Sequence, residues 1–511
     1  MSTNSIVRCQ TIDGRPVEFV DEIIGSGAMK DVYFSPDKSY VVCFFSKEKN
    51  KFYQSSAELE RQKDRLKEIV GNKWHGIFDG AGGDYWKNIF CWPDGLLEYN
   101  GLLGITAPTY KKHFFFEFGS KNNDFLNIKG KEKEGKWFAS ANNQNRFLDE
   151  REKGNWLNYL KICILIARAV RRMHAAGLAH SDLSYKNILI DPVQGYACVI
   201  DVDGLVVPGK YPPDVVGTPD FIAPEVVMTN HLAKDDPKRH LPNIATDRHA
   251  LAVLIYMYLL YRHPLRGGKV HDINDPQRDE NLSMGEKALF VEHPTDSMNR
   301  VKPNQLKPSQ LPWGDPAKMP FDVTGPYLKA LFLQSFVTGL HQPSQRPSAN
   351  DWETALVKTV DLIQPCQNPQ CAQKWYIFDN TTQPICPFCK TAFVGKLPIL
   401  NLYSSKREGN FRPDNHRLMV WTGQSLYPWH ANSMIAPNER LTPDQTKRIG
   451  YFVFHQSKWW LVNEGMPDLT DVSTKMQVPL GAKVELIDGA QLLLSRAEGG
   501  RLVVVQMVER A

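Results

Sequence analysis

"HSDLSYKNILIDPVQGYACVIDVDG", residues 180–204, is the stretch that decides how this 511-residue chain is read. It sets His180, Asp182 and Asn187 at the spacing H-x-D-x-x-x-x-N, and Asp201 follows. The apolar lead-in "GYACVI" fixes the register on Asp201 rather than Asp203. A carboxylate such as Asp182 can orient a hydroxyl and accept its proton. An amide oxygen and a second carboxylate, Asn187 and Asp201, are hard ligands of the kind Mg²⁺ takes.

Downstream, "VGTPDFIAPE" (216–225) ends in Ala-Pro-Glu, "TDRHALAVLIYMYLL" carries Asp247 at a helix start, and "QRPSA" supplies Arg346. Upstream, "GSGAMKDVYFSPDKSYVVCFF" (25–45) reads as a glycine-containing loop followed by a β-hairpin. In this order the set resembles the eukaryotic-type (Hanks-type) protein kinases. The resemblance implies an α+β, bilobal kinase fold over about 330 residues, with ATP and Mg²⁺ (or Mn²⁺) as cofactors. Asp182 is then the catalytic base, with Asn187 and Asp201 as Mg²⁺ ligands. Asp247 caps the catalytic loop, and Arg346 pairs with Glu225. Gly25, Gly27, Val32, Val41, Ala107 and Thr109 line the nucleotide cleft, and Thr106 is the gatekeeper at its back.

The sequence departs from that pattern in ways that bear on function. The strand lysine of the family is replaced by Cys43, and the third glycine of the loop by Lys30. Lys30 lies two residues before Val32, so an extended segment points both to one face. This is similar to the "with no lysine" kinases, and it implies that Lys30 is the catalytic lysine that anchors the phosphates. Glu58 and Glu60 are both open as its helix partner. Cys43 reads as a small buried filler. The D-F-G of the family reads Asp201-Val202-Asp203 here. Ser181 replaces an arginine that receives activation-loop phosphate, and Ser184 stands where a lysine touches the transferred phosphate. Residues 205–216 hold no Ser or Thr and a single Tyr211. Activation is therefore expected without phosphorylation of that segment. A nucleotide-binding pseudokinase acting as a scaffold is the alternative.

Composition sets the outer limits. The chain is 42% hydrophobic and 23% charged, with a net charge of +5, which is ordinary for a globular protein. That balance argues for neither nucleic acid nor an acidic membrane surface as a partner. The longest apolar run, Ala250–Tyr261, is too short to span a bilayer. The N-terminus lacks an apolar core of the signal-peptide kind, and nine cysteines fit a reducing, cytoplasmic setting.

Four of those cysteines, Cys366, Cys371, Cys386 and Cys389, form C-x4-C-x14-C-x2-C, a tetrahedral Zn²⁺ pattern without an open position and therefore structural. From about Leu397 the chain takes on β character. Its second half is similar to forkhead-associated β-sandwiches, although "TGQSLYPWHAN" is at most a relic of their phosphothreonine pocket. The expected organisation is an N-lobe and hinge at 1–110, a C-lobe at 111–363, a zinc ribbon at 364–395 and a β-sandwich at 396–511. The polar stretch Lys111–Asn155 is expected to include an exposed insertion. This architecture resembles bacterial kinases of tellurite-resistance and stress loci. Their partners imply protein substrates, a metal-dependent protein phosphatase and a von Willebrand A-domain protein.

Overall fold

The computed structural model describes residues 5–509 apart from 28, 81, 208–209, 211–216, 234, 380–382 and 408. The chain divides into two compact units. The first comprises 1–154, 161–314 and 332–350; the second comprises 155–160, 315–331 and 351–511.

The first unit opens with a hairpin, β1 (Ile6–Gln10) and β2 (Pro16–Val20). A five-stranded antiparallel sheet follows, built from β3 (Gly25–Ser26), β4 (Lys30–Phe34), β5 (Tyr40–Phe45), β6 (Gly95–Tyr99) and β7 (Leu102–Pro108) in the order β3-β4-β5-β7-β6. The β-branched and aromatic residues of "DVYF" and "YVVCFF" suit a sheet buried on both faces. One face packs Val42, Phe44 and Leu97 against Val17 and Phe19 of the hairpin. The other packs Phe45, Leu96, Leu103 and Ile105 against Leu66 of helix α1 (Ser56–Glu68). Helix α1 is therefore held by one stripe, with Gln62, Arg65 and Leu66 its buried residues.

The rest of this unit is mainly helical. Helix α2 (Trp156–Ala175), which belongs to this unit from Lys161 onward, buries Ile162, Cys163, Ile166 and Val170, and it ends before Gly177, whose φ of 70° closes the turn. A two-stranded ribbon follows, β8 (Ile188–Asp191) with β9 (Tyr196–Val199). The short helix α3 (Pro224–Thr229) precedes α4 (Ile244–Leu260), which is buried almost throughout. Its apolar run is a core helix, and among the described residues no helix is long and apolar enough to cross a membrane.

Within the polar stretch after Lys111, residues 129–132 are exposed, but much of the rest is packed rather than solvated. Phe114, Phe116, Phe138 and Leu148 are buried, and Glu134 bridges to Leu189 of β8. Lys133 and Glu152 are both buried and meet at 3.0 Å, and the same carboxylate accepts the Phe118 and Gly119 N–H groups. The correction has a physical reason. Lysine and glutamate read as surface residues, but a buried pair whose remaining lone pairs are satisfied belongs to a packed layer.

The second unit contains α5 (Ala349–Val360) from Asp351 onward, and then a small hairpin, β10 (Ile363–Pro365) with β11 (Trp375–Ile377). Beyond it lie two antiparallel sheets. The larger is formed around β12 (Leu397–Ser404), β13 (Arg412–Met419) and β16 (Arg501–Val508). The smaller is formed around β14 (Gly450–His455) and β15 (Lys458–Asn463). Leu400, Leu418 and Val503 of the first sheet share one core with Phe452 and Leu461 of the second. The hairpin β14–β15 turns at Gln456 and Ser457, both with positive φ, as a type I′ turn requires.

Candidate active site

The register of β4, β5 and β7 decides which side chains face one another. Lys30 pairs with Phe45, Val32 with Cys43, Val41 with Ala107, and Cys43 with Ile105. Directly opposed residues in antiparallel strands share a face, so Lys30, Val32, Val41, Cys43, Ile105 and Ala107 lie on the α1 side. Phe45 lies under the Lys30 ammonium, 5.8 Å from ring centroid to Nζ. Gly27 donates its N–H to Lys30 O at 2.9 Å, which closes the loop. A Cβ on Gly25 or Gly27 would meet nothing nearer than 3.8 Å, so internal packing does not demand either glycine.

Lys30 extends to two carboxylates. Its Nζ donates to Asp201 Oδ1 at 2.9 Å and to Asp203 Oδ1 and Oδ2 at 2.7 and 2.8 Å. Burial works against its charge, but Asp203 and Asp201 outweigh that and hold it firmly protonated. Burial also acts on Asp201, yet Lys30 keeps that carboxyl below the usual range. Cys43 sits in the same layer, and burial pushes its thiol up to about 11. It is a neutral filler at physiological pH.

Neither Glu58 nor Glu60 partners this lysine. Glu58 is exposed, and Glu60 pairs with Lys63 at 3.0 Å. The buried stripe of α1 carries Gln62 and Arg65 instead, and Arg65 donates to the Gly204 carbonyl. Thr106 is also misplaced as a gatekeeper. It opposes Val42, so it faces the hairpin, where its hydroxyl donates to Asp94 at 2.6 Å. The residue facing inward at that level is Ile105, because one step along a strand reverses the face. Thr109 offers no spare backbone donor, since its N–H is taken by Ser39 O at 3.3 Å.

The catalytic-loop residues are organised by Asp247 in the first turn of α4, a helix capped by Asn243. Its carboxylate accepts the His180 N–H at 2.7 Å and the Ser181 N–H at 3.3 Å. Ser181 is thereby held at φ 64°, a strained value for a residue with a side chain. Asp182 uses both oxygens. Oδ1 accepts the Thr218 N–H and hydroxyl at 2.7 and 2.8 Å, and Oδ2 accepts Asn187 Nδ2 at 3.0 Å. Thr218 and the fully buried Ser184 are 3.2 Å apart at their hydroxyls. Strands β8 and β9 carry Asn187 and Asp201 at their ends, and the Ile200 N–H donates to Asn187 O at 3.0 Å. Asp201 itself has φ 59°, which turns its carboxylate toward Lys30. Val202, in the place of the usual phenylalanine, is buried. Arg346 clamps Glu225 with two bonds of 2.8 and 2.7 Å.

The site thus brings Lys30, Asp201 and Asp203 together in one cluster, and Asp182, Asn187, Thr218 and Ser184 in another. Thr218 and Asp203 are the members that motif reading missed. The repeated aspartate of "DVD" was the available signal for Asp203. Tyr211 and most of the segment 205–216 lie outside the described residues.

In the second unit, Cys366, Cys371, Cys386 and Cys389 present four sulfurs within 4.8 Å of one another. The Cys366–Cys389 and Cys371–Cys386 separations are 3.5 and 3.8 Å. Four thiolates around a tetrahedral Zn²⁺ at 2.3 Å stand about 3.8 Å apart, so the donor set fits that ion. Two similar turns build it. The Cys366 N–H donates to Lys374 O and the Cys386 N–H to Thr391 O, with Lys374 and Lys390 at φ 61° and 63°.

Among known proteins, residues 130–352, which include the catalytic loop, match the protein kinase domain family. A stretch of 122 residues, 23% of the chain, is 32% identical to death-associated protein kinase dapk-1 of Caenorhabditis elegans. Another of 77 residues, 15% of the chain, is 30% identical to a dual serine/threonine and tyrosine protein kinase of Apis mellifera. These stretches span only 7% and 8% of the two relatives' lengths.

Proposed function

We propose that the chain is an ATP-dependent protein kinase that transfers the γ-phosphate to serine or threonine, on itself or on a partner protein. The observation that carries this reading is the Lys30 ammonium at 2.9 Å from Asp201, directed inward from the glycine-containing loop. In this reading ATP lies on the Val32, Val41 and Ala107 face, and Mg²⁺ would be held by Asn187 and Asp201. That ion neutralises phosphate charge when bound. Lys30 then anchors phosphate oxygens in place of the strand lysine that Cys43 cannot supply.

Asp182 orients the acceptor hydroxyl and takes its proton. The two Thr218 donors on Oδ1 and the Asn187 amide on Oδ2 fix the direction of that carboxylate. Ser184 stands where the resemblance implies a lysine, and its hydroxyl is 3.2 Å from that of Thr218.

The four cysteines fit a structural Zn²⁺. The two sheets beyond them read as a forkhead-associated-like β-sandwich serving as an interaction module without phosphopeptide binding. Support for the latter is His430, the histidine of the relic motif, which is buried against Asp361 at 3.3 Å. A cytoplasmic bacterial stress or tellurite-resistance system, with a phosphatase and a von Willebrand A-domain protein as partners, completes the reading.

The test is transfer of labelled γ-phosphate by the purified chain, alone and with candidate partners. Transfer that is lost in both Lys30→Ala and Asp182→Asn supports the kinase. Intact ATP binding without transfer by the wild type supports the pseudokinase scaffold.

A further inference from the structure

Lys30 faces two carboxylates but can neutralise only one. The two are not equivalent. The Asp203 side chain is 10% exposed and gives both oxygens to Lys30, whereas that of Asp201 is 53% exposed and gives one. A buried carboxylate that loses its cation stays uncompensated in low dielectric, whereas a half-exposed one can turn to water or a metal ion. Helix α1 brings no competing acid, since its buried residues are Gln62, Arg65 and Leu66.

We infer that Asp203 is the permanent counter-ion and positioning residue of Lys30, and that Asp201 is a temporary partner, released when Mg²⁺ arrives. Asp203 thus does from the D-V-D-G segment what a glutamate on the helix does elsewhere. The cluster of one ammonium and two carboxylates carries one net negative charge, which suits a divalent cation at Asp201. Helix α1 is coupled to the same segment by a different bond, from Arg65 to the Gly204 carbonyl.

This inference rests on the kinase reading, but it can be measured apart from it. Mg·ATP binding is titrated with the full-length wild type, Asp203→Asn, Lys30→Ala and the double variant, each at several Mg²⁺ concentrations. Where transfer occurs, KM for ATP and kcat are measured as well. In Asp203→Asn, Lys30 turns wholly to Asp201. ATP affinity should fall about tenfold, and the Mg²⁺ needed for half-maximal binding should rise several-fold. In the Lys30→Ala background the same substitution should cause no further loss of ATP affinity, because its route runs through Lys30.

An Asp203→Asn protein within twofold of wild type overturns the inference. So does an equal loss with and without Lys30, which would make Asp203 a metal ligand in its own right. If Asp203→Asn does not fold, Asp203→Glu replaces it: the charge survives one methylene farther out, and the same cycle with Lys30→Ala decides. Wild type that binds Mg·ATP without transferring phosphate overturns the kinase reading and leaves this inference standing.

Discussion

The aspartates around Lys30 and the four cysteines of the second unit pose one electrostatic problem and meet it differently. Each is a cluster of acidic groups gathered within a few ångströms. Asp201 and Asp203 have a cation of the protein itself, at 2.7–2.9 Å. The four sulfurs face one another at 3.5 and 3.8 Å, with no ammonium among them like that of Lys30. A cluster that holds its own cation can trade partners and so can serve a reaction. Four thiolates closed around a metal ion, as proposed for the cysteines, would instead form a structural clamp.

The largest expected effect lies in the clamp. Zinc removal by a strong chelator, or Cys386→Ser, should unfold residues 364–395, with about 10 kcal/mol of metal-coupled folding energy lost. Metal analysis should read one zinc per chain, and hydrogen exchange should report the melting, while Mg·ATP binding persists. A zinc-free, fully folded hairpin would break the comparison at this end. Asp182→Asn tests the reaction that the Lys30 cluster would serve, with transfer expected to fall about 10²–10⁴-fold and ATP affinity unchanged.

A third case shows what an internal counter-ion is worth when no reaction uses it. Arg346 is wholly buried on Glu225, and Arg346→Ala should cost about 3–5 kcal/mol, seen as a lowered melting temperature. The fourth test concerns a group that avoids charge altogether. His263 donates to Asp220 O at 2.8 Å through Nε2 and accepts the Leu265 N–H at 3.1 Å through Nδ1, so it is held neutral. Burial brings its pKa down to about 4, against the opposing pull of Asp220. The unfolded chain protonates this group near 6.5 and the folded one does not. Stability is therefore full above that pH and declines as pH falls toward 4, by up to about 3 kcal/mol. Melting temperatures of wild type and His263→Gln across pH 4–7 should converge at the acid end. Smallest of all, Cys43→Ala should shift ATP affinity less than about twofold, because a neutral thiol carries none of the charge.

Much of this was legible in order along the chain. His180, Asp182, Asn187 and Asp201 follow fixed spacings because one loop and one hairpin carry them, and local geometry survives in sequence. The alternation from Lys30 to Val32 likewise predicted a shared face. Thr106 failed for the same reason in reverse, since a strand's two faces differ by one residue and no motif marks the inner one. The buried pair of Lys133 and Glu152 was not legible, because charge alone does not reveal a partner 19 positions away. The family match begins at residue 130, past the sheet that carries Lys30. The least standard part of the site thus lies where similarity says least.

What the sequence by itself determined was the set of reactive groups, their spacing within single elements and the tetrahedral donor set of the cysteines. These depend on neighbours in the chain. What only the tertiary structure decided was which charge answers which. The choice of Asp203 over Glu58 or Glu60 joins residues 173 positions apart. Such a pairing depends on how a helix and a loop are packed against a sheet, and burial then makes the nearer carboxylate the one that must keep the lysine.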